Sequence, residues 1–191
     1  MDQSPIFTIG YGARDIDQFL ATLQQYEIAY LIDVRSRPYS RYKPDFSKDN
    51  LEAHLRWIGV RYVYMGDSLG GLPADRDCYD TDGKVDYHKV GEKQFYRDGL
   101  ARLAKAYSQG LRLTLMCSEG KPELCHRSKL IGKSLKESGV PVAHIDENDR
   151  VIEQEEVGLR LTGGQPSLFG DDLLPSGSRK RYELPEDEGD E

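Results

Sequence analysis

Short apolar runs alternate with amphipathic stretches along the first 146 residues of the chain. Five segments have the length of strands and are rich in apolar, β-branched or aromatic residues: PIFTIGY, AYLIDVR, VRYVYMG, LRLTLMC and PVAHID. AYLIDVR is apolar at successive positions, which is typical of a strand buried on both faces of a parallel sheet. These segments predict five strands.

Helical periodicity separates the predicted strands. In DIDQFLATLQQY, the apolar residues Ile16, Phe19 and Leu23 fall on one helical face. Three further helices are predicted in SKDNLEAHLRWIG, EKQFYRDGLARLAKAYSQG and PELCHRSKLIGKSLKESG. Ser47 is the expected N-cap of the first of these, and Gly59 its expected end.

The alternation of strands and helices predicts the fold class. We expect an α/β domain over residues 4–150, with a mostly parallel sheet of about five strands and helices on both faces. Residues 151–191 are expected to form a flexible, disordered acidic tail. The irregular segment DSLGGLPADRDCYDTDGKVDYHKVG is long enough to predict a lid or a binding loop.

Composition restricts the cellular setting. The longest apolar runs are far shorter than the roughly 18 residues of a membrane span, and no signal-peptide core follows MDQSPIF. The three cysteines, Cys78, Cys117 and Cys125, form an odd set without a paired framework. We therefore expect a cytoplasmic protein with reduced thiols and no membrane partner.

Charge is distributed unevenly along the chain, whose formal net charge is −7. Residues 1–146 carry 21 basic and 20 acidic side chains, whereas residues 147–191 carry 5 and 13. The near-neutral body can therefore present a local basic patch. DVRSRPYSRYKPDF interleaves Arg35, Arg37 and Arg41 with aromatic residues, a pattern that indicates either phosphate binding or merely a solvated basic loop.

Cys117 occupies the most informative position in the sequence. It ends a predicted parallel strand just before a helix expected to start at Pro122, which is where open α/β sheets bind ligands. The helix N-terminus, Lys121 and Arg127 would attract an anion and lower the pKa of a nearby thiol. Cys117 is thus a candidate reactive thiol beside an anion pocket, or alternatively a small buried residue at a strand end.

Cys125 and His126 are neighbours on the predicted helix, so their side chains are expected to diverge by about 100°. His126 could act as an acid, a base or a hydrogen-bond donor, while Cys125 is expected to pack inward. With Cys117 they could form at most a three-ligand metal site after loop rearrangement, and the paired spacing of structural zinc sites is missing. We expect no metal and no cofactor.

Four motifs together resemble the domain of unknown function 488 family over nearly the whole span from Ile6 to Asp146. They are TIGYG, LIDVRSRPYSRYKPDF, YMGDSLGG and MCSEGKPELCHR. The resemblance implies fold and site rather than a reaction. Carried over by motif, it implies a pocket formed by Gly10, Tyr11, Asp33, Arg35, Arg37, Gly70, Gly71, Cys117, Glu119, Cys125, His126 and Arg127.

A more distant similarity concerns LIDVR and a cysteine at a later strand end, which together resemble rhodanese-like sulfurtransferases. In those domains a short loop after the cysteine wraps an anion directly, whereas here Cys125 lies between Cys117 and Arg127. The resemblance implies persulfide or other thiol chemistry as an alternative function.

The predicted tail contains GGQPSLFGDDLLP, in which QPSLF at residues 165–169 resembles the short peptides that engage the bacterial sliding clamp. Leu168 and Phe169 would be the apolar anchors and Gln165 a polar specificity contact. Alternatively, Leu168 and Phe169 fold back onto the body and cover an apolar patch.

Two functions of different class remain open from sequence alone. The first is a repair- or replication-associated factor that binds nucleic acid or nucleotide phosphate in an Arg/Cys pocket and is recruited to the sliding clamp. The second is a cytoplasmic thiol-dependent enzyme acting on a small anionic substrate. Cys117, Glu119, His126 and Arg127 are the candidate catalytic residues. The candidate anion-binding residues are Gly10, Tyr11, Asp33, Arg35, Arg37, Arg41 and Lys121.

Overall fold

A computed structural model describes residues 3–161 and 176–182 of the chain. Its strands are β1 Ile6–Gly10, β2 Tyr30–Asp33, β3 Arg61–Tyr64, β4 Leu113–Cys117, β5 Val142–Ile145 and β6 Val151–Glu153. Its α-helices are α1 Ile16–Gln25, α2 Lys48–Trp57, α3 Gly66–Leu69, α4 Tyr87–Glu92, α5 Gln94–Ser108, α6 Lys133–Glu137 and α7 Gln154–Leu161. The predicted binding loop between β3 and α5 thus contains two short helices, α3 and α4.

All six strands form one sheet in the order β3-β2-β4-β1-β5-β6. Every neighbouring pair is parallel except β5 and β6, which are antiparallel. The central strands β1 and β4 are buried along their whole length. The predicted α/β fold with a mostly parallel sheet is therefore confirmed.

The strands are apolar at successive positions because each face of the sheet carries its own core. In β4, Leu115 and Cys117 point into the core beneath α5 and α6, while Met116 points into the core beneath α1 and α2. Helices on both faces leave few positions of the central strands in contact with solvent. Because both faces of the sheet are covered, these strands lack the alternation of polar and apolar residues that is typical of a strand with one face in solvent.

The helix ends largely follow the local sequence signals. Asp15 and Gln18 form a reciprocal capping box at the start of α1. Ser47 is the N-cap residue of α2, although its hydroxyl accepts a hydrogen bond from the backbone of Ser40 and not from the helix. Gly59 follows α2 with a φ of 76°, a left-handed conformation that favours glycine.

The segment after β4 differs from the single helix predicted from Pro122. Residues Pro122–Leu124 form one 3₁₀ turn, and Cys125 is extended at φ −116° and ψ 149°. A π-helix, Arg127–Gly132, then leads into α6. The extended backbone at Cys125 interrupts the helix, and this break lets the side chains of Cys125 and His126 turn toward the end of β4.

Regular structure continues beyond the domain boundary predicted at residue 150. β6 pairs with β5, and Gln154 at the start of α7 hydrogen-bonds to buried His144. The short segment 176–182 also contacts the body, where Gly177 forms a bridge with Asp86. The predicted clamp peptide, residues 165–169, lies outside the described residues.

Candidate functional site

The candidate site lies at the carboxyl ends of three neighbouring strands, β1, β2 and β4. Gly10 is in register with Cys117, and Asp33 with Met116. These ends open onto a cavity of about 280 Å³. Eight of the residues predicted from sequence line it: Tyr11, Arg35, Arg37, Gly71, Cys117, Glu119, Cys125 and His126. The other lining residues are Ser36, Tyr39, Leu72, Tyr87, Ser118, Leu124, Ser178, Arg179, Lys180 and Tyr182.

Three soft donor side chains converge at the floor of this cavity. The Nδ1 atom of His126 lies 3.9 Å from the sulfur of Cys117 and 3.7 Å from the sulfur of Cys125. Both cysteines are buried and unpaired by disulfide. The predicted divergence of Cys125 and His126 does not occur, because Cys125 is extended and not helical.

The tautomer of His126 follows from its second nitrogen. Nε2 lies 3.1 Å from the backbone carbonyl oxygen of Val34, an acceptor that requires a hydrogen on Nε2. The neutral ring therefore presents the lone pair of Nδ1 to the two sulfurs, where it can accept a proton. The protonated ring would instead donate a hydrogen bond to a thiolate.

The two thiols have opposite pKa shifts. A hydrogen bond from the Cys125 thiol and the charge of His126 hold the pKa of Cys117 well below its ordinary value, in spite of burial. Burial raises the pKa of Cys125, and the neighbouring Cys117 thiolate raises it further. Cys117 is therefore the thiolate of the pair, and Cys125 is the thiol that donates to it.

The same three side chains could hold a thiophilic metal ion. Their ligand atoms lie within 4.8 Å of one another, and donors bound to one zinc are roughly 3.5–4 Å apart. No loop rearrangement is needed, contrary to the expectation from sequence. Among residues 3–161 and 176–182, no fourth cysteine, histidine or carboxylate joins this group. The basic side chains lining the cavity would oppose a divalent cation.

Arg35 supplies a buried positive charge to the cavity. Its Nε and Nη2 atoms donate to the two carboxylate oxygens of Asp33, at 2.9 and 2.6 Å. Burial disfavours the charged guanidinium, but the hydrogen bonds and charge of Asp33 outweigh this effect and raise the pKa of Arg35. Its Nη1 atom is buried and has no hydrogen-bond partner within the described part of the chain. Asp33 itself lies behind Arg35 and does not line the cavity.

Arg127 is completely buried and does not line the cavity. Its Nη1 donates to the backbone carbonyl of Glu119, its Nη2 donates to that of Gly120 at 2.9 Å, and its Nε donates to the hydroxyl of Thr8 at 3.2 Å. The guanidinium thus holds the loop after Cys117 in place. This position favours a structural role over the catalytic role expected from sequence.

The remaining predicted residues divide into two groups. Tyr11 stacks on Phe46 with ring centroids 4.2 Å apart and lines the cavity. Gly10 lies against the carbonyl of Glu119, where a side chain would not fit. Arg41 and Lys121 are exposed and do not line the cavity.

Sequence reasoning missed the contribution of segment 176–182. Arg179, Lys180 and Tyr182 line the cavity although they belong to the region expected to be a free acidic tail. The available signal was the basic run SRKR, which interrupts an otherwise acidic region. Tyr87, from the predicted binding loop, also faces the thiols.

Gly71 provides the room that the imidazole of His126 occupies. A Cβ atom on Gly71 would lie 2.9 Å from the Nδ1 atom of His126. Of the two glycines predicted by motif resemblance, Gly71 therefore belongs to the site.

A comparison with known protein families gives a match over much of the chain. A family model described as "Domain of unknown function DUF488" matches residues 15–133, more than half of the chain. The chain belongs to this DUF488 family. No curated protein and no solved structure matches the sequence. Helices long and apolar enough to cross a membrane are absent from the described residues.

Proposed function

We propose that this DUF488 protein is a thiol-dependent enzyme that acts on a small anionic substrate, with Cys117 as the nucleophile. The observation that carries the proposal is that Cys117 lines a cavity together with Arg35, whose buried Nη1 atom has no hydrogen-bond partner among the described residues. Cys125 and the Nδ1 atom of His126 flank this sulfur. A merely structural cysteine at a strand end would need neither neighbour.

The proposed reaction is group transfer through a covalent intermediate. Cys117 reacts as the thiolate, with its proton held by the Nδ1 atom of His126, and its sulfur forms a bond to the electrophilic atom of the substrate. The bond between that atom and its leaving group breaks, and the leaving group takes the electron pair and the proton from His126. Water or a second acceptor then attacks the transferred group and gives its proton to His126, and the bond to sulfur breaks with its electron pair on Cys117, which restores the thiolate.

Alkylation kinetics test the nucleophile. At neutral pH, iodoacetamide should modify Cys117 at least tenfold faster than Cys78, as followed by mass spectrometry, because burial raises the pKa of the Cys78 thiol. His126→Asn should slow modification of Cys117, whereas His88→Asn should not, since His88 is exposed and does not line the cavity. Equal labelling of all three cysteines in the folded protein would contradict the proposal.

Metal analysis provides a second test. We expect purified protein to contain substoichiometric zinc and to keep its melting temperature in chelator. One tightly held zinc per chain would instead make Cys117, Cys125 and His126 metal ligands, and Cys117 would then not be a free nucleophile.

Nucleic-acid binding is a second candidate function, supported by the loop that follows β2. Tyr39 and Tyr42 are 71% and 91% exposed, and they alternate with Arg37 and Arg41. Exposed rings beside basic side chains can stack on bases and neutralise phosphates. We expect single-stranded DNA binding that weakens steeply with salt and is lost when both tyrosines are replaced by alanine. Salt-insensitive or undetectable binding would remove this candidate.

Recruitment to the sliding clamp remains part of this second proposal. It depends on Gln165, Leu168 and Phe169, which lie outside the described residues. A peptide covering residues 163–174 should bind a bacterial sliding clamp in the micromolar range, roughly −8 kcal/mol. Replacing Leu168 and Phe169 together by alanine should cost about 2 kcal/mol or more. No binding by the peptide or by the intact chain would exclude this partner.

A further inference from the structure

Residues 176–182 form one wall of the cavity and are attached to the body by main-chain hydrogen bonds. The carbonyl of Ser176 accepts from the backbone N–H of Tyr87 at 2.8 Å, and the N–H of Ser178 donates to the carbonyl of Val85 at 2.9 Å. The N–H of Tyr182 donates to the carbonyl of Gly83 at 2.8 Å. This segment is therefore paired like an added strand along residues 83–87.

Two of the three basic side chains of this segment line the cavity, and the third does not. Arg179 and Lys180 line the cavity, and Arg179 reaches across it to the carboxylate of Glu119 at 3.1 Å. Arg181 does not line the cavity and lies 3.7 Å from Asp82. Consecutive residues of one segment thus differ in their access to the site.

The lining of the cavity draws basic groups from two separate segments. Arg35, whose buried Nη1 atom has no hydrogen-bond partner in the described residues, and Arg37 come from the loop after β2. Arg179 and Lys180 come from residues 176–182. Arg35 is paired with Asp33, and Arg179 is paired with Glu119. Carboxylates thus balance two of the four cations, and the remaining excess of positive charge favours a ligand with more than one negative charge.

We infer that the substrate carries two anionic groups, one bound by Arg35 and Arg37 and the other by Arg179 and Lys180. This inference rests on the proposed function for the identity of the reacting thiol, but not for the binding of the anions. A cavity of about 280 Å³ is at the small end of ligand sites, so the substrate is a small molecule of the diphosphate or bisphosphate type. Cys117 lines the same cavity.

Isothermal titration calorimetry with inorganic anions tests the inference. Pyrophosphate should bind the full-length protein at least tenfold more tightly than orthophosphate. Replacing both Arg179 and Lys180 by alanine should reduce pyrophosphate affinity to that of orthophosphate and leave orthophosphate affinity nearly unchanged. Equal affinity of the wild-type protein for the two anions would overturn the inference.

Arg181→Ala is the control, because it removes one positive charge from the same segment outside the cavity. It should leave the preference for pyrophosphate within twofold of wild type. A loss as large as that of the double variant would show that only the overall charge of the segment matters, and the second anion site would be rejected.

Cys117→Ser separates this inference from the proposed enzyme function. The variant should lose the rapid alkylation but keep its preference for pyrophosphate. If the preference survives while Cys117 in the wild-type protein reacts no faster than Cys78, the proposed function fails and the two-anion site stands.

A single-stranded oligonucleotide that displaces pyrophosphate, with the displacement lost in the Arg179 and Lys180 variant, would assign the two sites to a nucleic-acid backbone and overturn the small-molecule class.

Discussion

Two buried arginines lie beside neighbouring strand ends but have different surroundings. Arg127 uses its guanidinium on two backbone carbonyls and a hydroxyl, and it does not line the cavity. Arg35 pairs with Asp33 through two nitrogens and keeps a third, Nη1, without a partner in the described residues. Arg35 lines the cavity.

These two arginines show that proximity to Cys117 does not by itself assign a role to an arginine. The role follows from the acceptors that remain for its N–H groups, because buried donors without acceptors are costly and are usually satisfied. Arg127 is satisfied by the protein, whereas Arg35 needs a further acceptor. A ligand anion would supply it.

The largest effect is expected for Arg127→Lys. An ammonium group cannot make the planar, forked contacts of a guanidinium, so the carbonyls of Glu119 and Gly120 would lose partners in a buried setting. We expect the free energy of unfolding to fall by about 3 kcal/mol in urea titrations. Arg97→Lys, at an exposed helix position, is the control and should change stability by less than about 0.5 kcal/mol. A loss at Arg127 as small as that of the control would show that its hydrogen bonds stabilise little.

The network behind Arg127 should also make the fold sensitive to acid. Thr8, which accepts from Arg127, is hydrogen-bonded to Nδ1 of His144 at 2.7 Å, and Nε2 of His144 lies 2.6 Å from the side-chain oxygen of Gln154. Burial lowers the pKa of His144 to about 3. The unfolded chain, with a histidine pKa of about 6.5, therefore takes up this proton first as the pH falls.

His144 is thus expected to contribute stability above about pH 6.5 that is lost progressively toward pH 3. From pH 7 to pH 5 the loss should be about 2 kcal/mol, measured as the free energy of unfolding at each pH. His144→Gln should flatten this dependence, whereas His88→Gln, at an exposed position, should not. An unchanged slope in the His144 variant would assign the acid sensitivity to other groups.

Arg35→Lys should separate binding from stability at the second arginine. A lysine can still pair with Asp33, so we expect a stability loss of about 1 kcal/mol, smaller than that of Arg127→Lys. Affinity for orthophosphate should fall about tenfold, equivalent to roughly 1.4 kcal/mol, because the donor provided by Nη1 is lost. Isothermal titration calorimetry with orthophosphate measures this change in affinity. Unchanged affinity would show that Nη1 does not contact the anion.

The smallest effect is expected for Gly71→Ala, which fills space beside the imidazole of His126. The added Cβ would force the imidazole of His126 to move by a few tenths of an ångström away from its position beside Cys117. Alkylation of Cys117 should slow about threefold, with a stability loss below about 1 kcal/mol. Gly91→Ala, where nothing lies within 4 Å of the new Cβ, should leave the rate unchanged. Equal rates in both variants would mean that the position of His126 does not affect the thiol.

Local patterns in the sequence were sufficient for strands β1 to β5 and for the position of Cys117. The apolar runs gave β1 to β5 because strands buried on both faces have no polar alternation. The placement of Cys117 at the end of β4 followed from the same pattern. β6 and α7 were not predicted, since their segments are short and strongly charged.

Other features depend on contacts between residues far apart in the chain, and local patterns do not encode them. The single helix predicted from Pro122 was wrong because the extended backbone at Cys125 breaks it, and this break brings Cys125 and His126 to Cys117. The attachment of residues 176–182 depends on pairing with residues 83–87, about ninety positions earlier. No periodicity in the tail indicates that pairing.

The sequence by itself determined the α/β class, the position of Cys117 at a strand end and the concentration of arginines after β2, because these follow from hydrophobic periodicity and residue order. Only the tertiary structure decided which basic residues face the cavity. Arg127 donates to backbone carbonyls, the Nη1 atom of Arg35 has no hydrogen-bond partner in the described part of the chain, and Arg179 and Lys180 come from residues 176–182. The physical reason is that the role of a charged group depends on the acceptors around it in space, and those are fixed by long-range packing.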